Sequence, residues 1–172
     1  MAHKRQQVFL VILLIILAVV VGVVYRVSID KKTEVRTGPQ FTKEGELWIL
    51  PGDSTEVDAA KVQIDIEIAD NDLDIRQGLM YRQSMERQQG MLFFMPQEEE
   101  QSFWMLNTYI SLDIIFAKAD GTIVHIARNT PPHGLNPIPS RYPAKYVLEV
   151  NAGFCRTHGV ATGDKLVWEK LR

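Results

Sequence analysis

The chain has 172 residues, of which 46% are hydrophobic and 23% charged, and its formal net charge at pH 7 is −2. This composition is typical of one ordinary globular domain with an appended segment. From residue 41 onward acidic residues outnumber basic ones and no basic stripe occurs, which argues against nucleic acid as a partner. The single cysteine, Cys155, excludes an internal disulfide.

An uncharged apolar run lies near the start of the chain. It reads VFLVILLIILAVVVGVV and covers residues 8–24, which as a helix would span roughly 26 Å at about 1.5 Å per residue. Tyr25 and Arg26 can extend this length at the interface towards the bilayer core of about 30 Å. The run is longer than the apolar part of a signal peptide, and no small-residue cleavage site follows it. The sequence therefore predicts an uncleaved transmembrane anchor at residues 8–25.

The anchor divides the chain into four predicted parts: a short basic tail at 1–7, the anchor at 8–25, a polar tether at 26–45 and a β-rich domain at 46–172. Basic residues flank the apolar run on both sides, so charge alone does not fix its orientation. A short basic tail before a first helix usually stays inside. We therefore expect a single-pass protein of the inner (cytoplasmic) membrane, held in the lipid bilayer by residues 8–25, with its C-terminal domain outside the cytoplasm.

Alternating hydrophobicity predicts the first strands of the domain. In KVQIDIEIAD the apolar residues stand at every second position from Val62 to Ile68, the pattern of a half-buried strand. ELWIL predicts a shorter strand before it, closed by Pro51-Gly52. Asn71 is of a residue type that is preferred at helix N-caps, so a short helix is expected from there to about Met80.

The rest of the domain is expected to be mostly strands. One further helical turn is predicted to begin at Ser84 and end at Gly90. A short helix is expected after Asn151-Ala152-Gly153. PQEEE and PPHGLNPIPSRYP are expected to be loops, and ADG a hairpin turn. The predicted strands are GMLFFM, SFWML, YISLDIIFAK, TIVHIAR, KYVLEV and KLVW. With no βαβ rhythm, the fold class is α+β, mostly β: a single compact domain of about seven or eight short strands, in a curved sheet or small barrel, with two or three short helices.

Several motifs in this order resemble the domain-of-unknown-function family 192: GLMYR at 78–82, GMLFFM at 90–95, SFWMLNTYISLDIIF at 102–116, AKYVLEVNAG at 144–153 and TGDKL. The resemblance covers about residues 60–168 and implies a compact β-rich domain, often exported or anchored, without an established reaction. Leu106 and Ser111 stand where the family usually has lysine and proline, which leaves open whether loss of that lysine abolishes an activity. His133 and Ile138 stand where relatives often carry two cysteines, so a disulfide there is not expected.

The acid within SFWMLNTYISLDIIF is the main functional candidate. If its apolar neighbours face the core, Asp113 faces the other way, into a cleft that Trp104 and Asn107 could border. A carboxylate beside aromatic rings could act as a general base or bind a cation or sugar hydroxyls. The alternative is structural: Asp113 accepts backbone N–H bonds from the Asn107-Thr108 turn, or pairs with Arg82.

The histidines and the cysteine are weaker candidates. Cys155 and His158 are three residues apart on a predicted short helix and could share a zinc ion, or act as nucleophile and base, while His125 and His133 lie elsewhere. One such pair without a second is a weak zinc signal, and no serine nucleophile elbow, phosphate loop, HExxH or CxxC motif occurs. We therefore expect neither a metal nor a cofactor.

These observations favour a membrane-anchored extracytoplasmic domain that binds a small molecule, glycan or partner protein. The candidate ligand-binding residues are Arg82, Trp104, Asn107, Thr108 and Asp113. One alternative is a hydrolase-type enzyme with Asp113 as general base. Another is a structural or assembly protein without a pocket, which should expose a large apolar patch to an envelope protein.

Overall fold

Seven strands form one mixed β-sheet in the computed structural model, which describes residues 17–21, 38–52, 54 and 56–171. The strands are β1 (Gly45–Leu50), β2 (Val62–Ala69), β3 (Gln89–Phe103), β4 (Leu112–Ala117), β5 (Ile123–Thr130), β6 (Ile138–Asn151) and β7 (Lys165–Lys170). Their order across the sheet is β5-β4-β6-β3-β2-β1-β7. The short helices of the domain are a 3-10 turn (Val57–Ala59), α1 (Asp72–Gln77) and α2 (Phe154–Thr157).

One pair of neighbouring strands is parallel. β2 and β3 run in the same direction and are connected through α1, whereas the other neighbouring strands of the sheet are antiparallel. The expectation of no βαβ unit is therefore wrong at this one place. Because α1 has only six residues, it is too short to show a helical period in the sequence.

The sheet curls until its two edge strands approach each other, giving a half-barrel. Thr122, just before β5, forms an isolated bridge with Lys165 of β7. The Leu166 N–H donates to the Gly121 carbonyl at 2.9 Å. Gly121 has φ +84°, and a Cβ there would lie 2.4 Å from the Leu166 carbonyl oxygen, so a residue without a side chain is needed at this contact. The mostly-β fold and the expected number of strands are confirmed.

Two apolar clusters lie on opposite faces of the sheet. The larger one contains buried residues from all seven strands together with Phe154 and Cys155 of α2, so it fills the inside of the curl. The second covers the outer face of β3, β4 and β6, where Leu79 and Met105 pack from the connecting segments. All six residues of β4 are buried. Its side chains are thus removed from water on both faces.

The boundaries of β3 and β6 correct several predictions. β3 continues through PQEEE, and β6 begins at Ile138, so most of the expected loops at these places is strand. The C-terminal part of β3 pairs with the N-terminal part of β6 as a two-stranded ribbon, with Ser102 opposite Pro139 and Glu100 opposite Pro143. Because proline and a run of glutamates are unusual in strands, the sequence predicted loops there.

Two shorter predictions are also wrong. Residues 84–88 lie in no regular element, so the helical turn expected from Ser84 is absent there. SFWML ends as a strand at Phe103, and β4 begins only at Leu112, which leaves residues 104–111 as a loop between them. This loop carries three of the candidate binding residues.

The local signals at helix and hairpin ends were confirmed. The Asn71 side chain accepts hydrogen bonds from the N–H groups of Leu73 and Asp74, both at 3.1 Å, and so caps α1. A tight turn, closed by the bond from the Gly121 N–H to the Lys118 carbonyl at 2.9 Å, joins β4 to β5. α2 follows Gly153 as expected.

Residues 17–21, which are helical, are the only described part of the predicted anchor; the remainder of residues 8–25 lies outside the described residues. No helix in the described part of the chain is long and apolar enough to cross a membrane.

Candidate functional site

Asp113 lies on the inner face of β4 and is 1% exposed. Its Oδ1 accepts the Asn129 N–H at 2.8 Å, and its Oδ2 accepts the Cys155 N–H at 3.0 Å. The first bond reaches a β-bulge in β5, where two residues stand opposite Asp113 and Asn129 has φ +52°. The second fixes the first turn of α2 to the sheet. Asp113 therefore satisfies two backbone donors that the strand ladder leaves free.

The predicted partners of Asp113 were wrong, although its prediction as an acceptor of backbone bonds is confirmed. The donors come from β5 and α2 and not from the Asn107-Thr108 turn. Arg82 pairs instead with Glu67 of β2. The reason is topological: Asp113 faces the inside of the curl, where the bulge and α2 lie.

Glu67 and Arg82 form a buried ion pair on the other side of the sheet. Their side chains are 9% and 3% exposed, and Arg82 Nη2 lies 2.6 Å from Glu67 Oε2. Glu67 Oε1 accepts the Thr42 N–H at 3.0 Å. Removing either charge alone would leave the other buried without a partner, at a cost of about 3–5 kcal/mol.

The ion pair does not satisfy the guanidinium. Nε and Nη1 of Arg82 are shielded from solvent and have no hydrogen-bond partner within the described residues. Glu67 Oε2 is likewise without a hydrogen bond there, because the short contact with Nη2 lacks hydrogen-bond geometry. Unpaired donors on a buried cation are costly. The Arg82 side chain thus keeps unused capacity to donate to an oxygen atom.

A polar cleft of about 270 Å³ opens beside this pair. One wall is a strap, residues 38–44, which packs against β2 through the Thr42 bond to Glu67 and a bond from the Ile68 N–H to Glu44 Oε2 at 2.6 Å. The residues lining this cleft, which we call the Arg82 cleft, are Pro39, Gln40, Thr42, Glu44, Glu67, Ile68, Asp74, Gln77, Gly78, Arg82 and Met91. Most of them are polar, so the cleft suits a small polar molecule.

Glu149 of β6 is a second buried acid near this cleft. Met91 stands opposite both Glu67 and Glu149 in the sheet, so the three side chains share the outer face. A Cβ on Gly78, which lines the cleft, would lie 4.0 Å from Glu149 Oε2. Burial raises the pKa of Glu149 to about 8. This carboxyl group is therefore neutral at pH 7 and can donate a proton to a hydrogen bond.

The other candidate residues lie in and around the loop 104–111. Trp104 is 57% exposed. The Asn107 side chain donates to the Tyr81 hydroxyl at 2.8 Å, and the Asn107 carbonyl accepts the Tyr81 N–H at 2.8 Å. The carbonyl of Thr108 accepts the His133 N–H at 3.1 Å. These bonds connect three loops beside Arg82.

The five predicted residues are thus divided between places. Arg82 lines the cleft. Trp104, Asn107 and Thr108 lie in the loop 104–111, and Asp113 lies on the inner face of the sheet. As contacts to a ligand they stay a prediction. Glu67 and Glu149 were not among the predicted site residues. The available signals were an acid alternating with isoleucines in β2 and an acid inside the apolar run VLEV.

Cys155, the possible nucleophile among the weaker candidates, is buried. Burial, and to a smaller extent the nearby Asp113 carboxylate, raises the pKa of the Cys155 thiol to about 12, so the thiolate is not available near neutral pH. No group of three or more His, Cys, Asp or Glu in the described ranges could hold a metal ion.

Comparison with known proteins finds an uncharacterised family and related folds. The DUF192 family model, described as "Uncharacterized ACR, COG1430", matches residues 54–168. One similar crystal structure is that of a suggested transcription regulator from Sinorhizobium meliloti 1021, whose sequence is 34% identical to this chain. The two structures superpose with a TM-score of 0.67, and the match covers 77% of this chain and 98% of the other. A protein of unknown function from Novosphingobium aromaticivorans DSM 12444 is 31% identical, with a TM-score of 0.64, covering 72% and 84%. No curated protein matches.

Replacing Asp113 should test its structural role. Asp113→Asn leaves one acceptor oxygen for two backbone donors, so we expect the free energy of unfolding to fall by about 1–3 kcal/mol. The measurement is urea denaturation followed by circular dichroism. The matched control is Asp120→Asn, because Asp120 accepts one backbone N–H, from Thr122, in an exposed turn. An equal or smaller loss for Asp113→Asn than for the control would contradict the structural role.

The buried acid of β6 predicts a pH dependence of stability. The pKa of Glu149 rises from 4.5 to about 8 on folding, so between these values the folded state holds a proton that the unfolded state has released. Stability should therefore fall with rising pH, by about 1.4 kcal/mol per pH unit. Glu149→Gln should remove this slope and be more stable than the wild type at pH 8.

Chemical denaturation at several pH values between 4 and 9 measures this slope. The control is Glu98→Gln, which changes an acid that is exposed on β3. Parallel curves for the wild type and Glu149→Gln across this range would contradict a raised pKa.

Proposed function

The chain belongs to the DUF192 family, and from its own geometry we propose that its domain binds a small polar ligand in the Arg82 cleft, through an oxygen atom that accepts hydrogen bonds from the guanidinium. The observation that supports this most directly is the pair of buried Arg82 donors, Nε and Nη1, without partners in the described residues. A carboxylate or another oxyanion is the complementary group, since it matches the planar donor arrangement of arginine.

The position of the ion pair supports this role for Arg82. The Glu67 carboxylate lies 2.6 Å from Nη2 and is itself held by the strap through Thr42. It fixes the guanidinium in place before any ligand arrives, which lowers the entropy cost of binding. Because the free donors are shielded from solvent, a neighbouring group has to move before a ligand oxygen can reach them.

Binding is favoured over catalysis by the groups around the cleft. Asp113, the candidate general base of a hydrolase, does not line this cleft and already accepts two backbone bonds. Binding requires only the buried cation and the polar walls that surround it.

We also propose that residues 8–25 anchor the domain in the inner (cytoplasmic) membrane and that the domain lies outside the cytoplasm. The support is the length and apolarity of the run VFLVILLIILAVVVGVV. A ligand would then reach the Arg82 cleft from the space outside the membrane.

The role of Arg82 can be tested by titrating the full chain with acetate, succinate, inorganic phosphate and glucose. The Arg82 Nε–H resonance should shift in a saturable way with the oxyanions. Arg82→Lys keeps a charge beside Glu67 but loses the planar fork, so affinity should drop about ten- to a hundred-fold. The control, Arg128→Lys, changes an arginine that bonds the Val160 carbonyl elsewhere and should bind as the wild type does.

The wild-type titration decides the matter even if Arg82→Lys fails to fold. If no probe moves the Arg82 Nε–H resonance, the proposed function is wrong. If glucose moves it and the oxyanions do not, the cleft takes neutral hydroxyl groups and the proposal of an oxyanion fails.

The location can be tested with one engineered thiol. Cys155 is 1% exposed, so a Glu99→Cys variant of the full chain carries one accessible thiol, on the exposed part of β3. A membrane-impermeant maleimide should label it in intact spheroplasts, and carbonate should not extract the protein from membranes. Wild-type chain is the control for background labelling. Labelling only after permeabilisation would place the domain inside, and recovery in the soluble fraction would contradict the anchor.

A further inference from the structure

Among the described residues, the Arg82 cleft carries more negative than positive charge. Three carboxylates from this part of the chain line it, those of Glu44, Glu67 and Asp74, together with the guanidinium of Arg82. Glu67 already pairs with Arg82. Two carboxylates, those of Glu44 and Asp74, are therefore in excess at its walls.

Both of these carboxylates are held in place by the protein. Glu44 Oε2 accepts the Ile68 N–H at 2.6 Å. Asp74 Oδ2 accepts a bond from the Asn71 side chain at the start of α1. They belong to different walls, one to the strap and one to α1. A ligand between the walls meets fixed negative charges around a buried cation whose Nε and Nη1 lack partners in the described residues.

We infer that the ligand of the Arg82 cleft is a small zwitterion, such as an amino acid, with its carboxylate on Arg82 and its ammonium group beside Glu44 or Asp74. The inference rests on the proposed function of this cleft. A simple carboxylate would satisfy Arg82 but be repelled by the two excess acids, and a simple amine would leave the Arg82 donors unpaired. A zwitterion offers one group of each sign.

The size of the cleft agrees with this class of ligand. Its volume of about 270 Å³ is below the roughly 300–1,000 Å³ common for drug-sized ligands. A molecule with its two charged groups separated by few atoms suits this space. The lining includes the side-chain amides of Gln40 and Gln77, which can bond to further polar atoms of the ligand.

The test compares L-alanine with propionate, which lacks the ammonium group, and with ethylamine, which lacks the carboxylate. Each is titrated into the full chain at pH 7, following the Arg82 Nε–H resonance and the dissociation constant. L-alanine and L-glutamine should bind at least about ten-fold tighter than propionate, since one charge-assisted hydrogen bond contributes about that factor. Ethylamine should not shift the Arg82 resonance.

Removing the excess acids should abolish the preference. In Glu44→Gln/Asp74→Asn both side chains keep an acceptor oxygen for their protein donors but lose the charge. The advantage of L-alanine over propionate should then fall below about three-fold, while propionate binds equally or more tightly because repulsion is lost. The control is Glu98→Gln, an acid outside the cleft and exposed on β3, which should keep the full preference.

The outcomes separate this inference from the proposed function. Equal affinity for propionate and L-alanine, both shifting Arg82, would overturn the zwitterion and leave the oxyanion site standing. A preference for L-alanine that survives in Glu44→Gln/Asp74→Asn would also overturn the assignment of the ammonium group. Binding that never shifts the Arg82 resonance, or no binding by any probe, would overturn both.

Discussion

Burial of the central strands on both faces is the constraint on which the rest of this structure depends. A curled sheet encloses one apolar cluster and carries a second on its outer face. β4, which contributes residues to both clusters, has no exposed residue. A polar group on such a strand has no solvent-facing side to turn to. It must therefore be paired or neutralised, because otherwise its burial lowers the stability of the fold. The three buried acids near the candidate sites meet this constraint in three different ways.

Asp113 is satisfied by backbone donors, Glu67 by a cation, and Glu149 by keeping its proton. The first solution is inherently structural, because the bulge of β5 and the first turn of α2 use both carboxylate oxygens. In the third, the pKa of Glu149 is raised to about 8 by burial alone. The second differs because one carboxylate cannot satisfy an entire guanidinium. Of these three acids, Glu67 is the one whose cationic partner keeps strong donors without a partner in the described part of the chain.

How much the sequence predicted depends on whether each signal was local. The strand at residues 62–68, the Asn71 cap and the turn at Gly121 were each predicted from a few neighbouring residues, and all three elements were confirmed. The strand character of PQEEE depends instead on pairing with β6, a contact between distant segments that overrides the low strand propensity of proline and glutamate.

The prediction of the site residues also succeeded where the signal was local and failed where it depended on distant contacts. Arg82 could be selected as a candidate from its residue type and motif, but its partner could not, because Glu67 stands in β2 at a position that a half-buried strand would expose. It is covered because the α1 crossover and the strap lie over that face. Two-sided burial therefore turned a position that looked solvent-facing into the anchor of the Arg82 side chain. Where a crossover covers an alternating strand, an acid on its polar face becomes a candidate partner for a buried arginine.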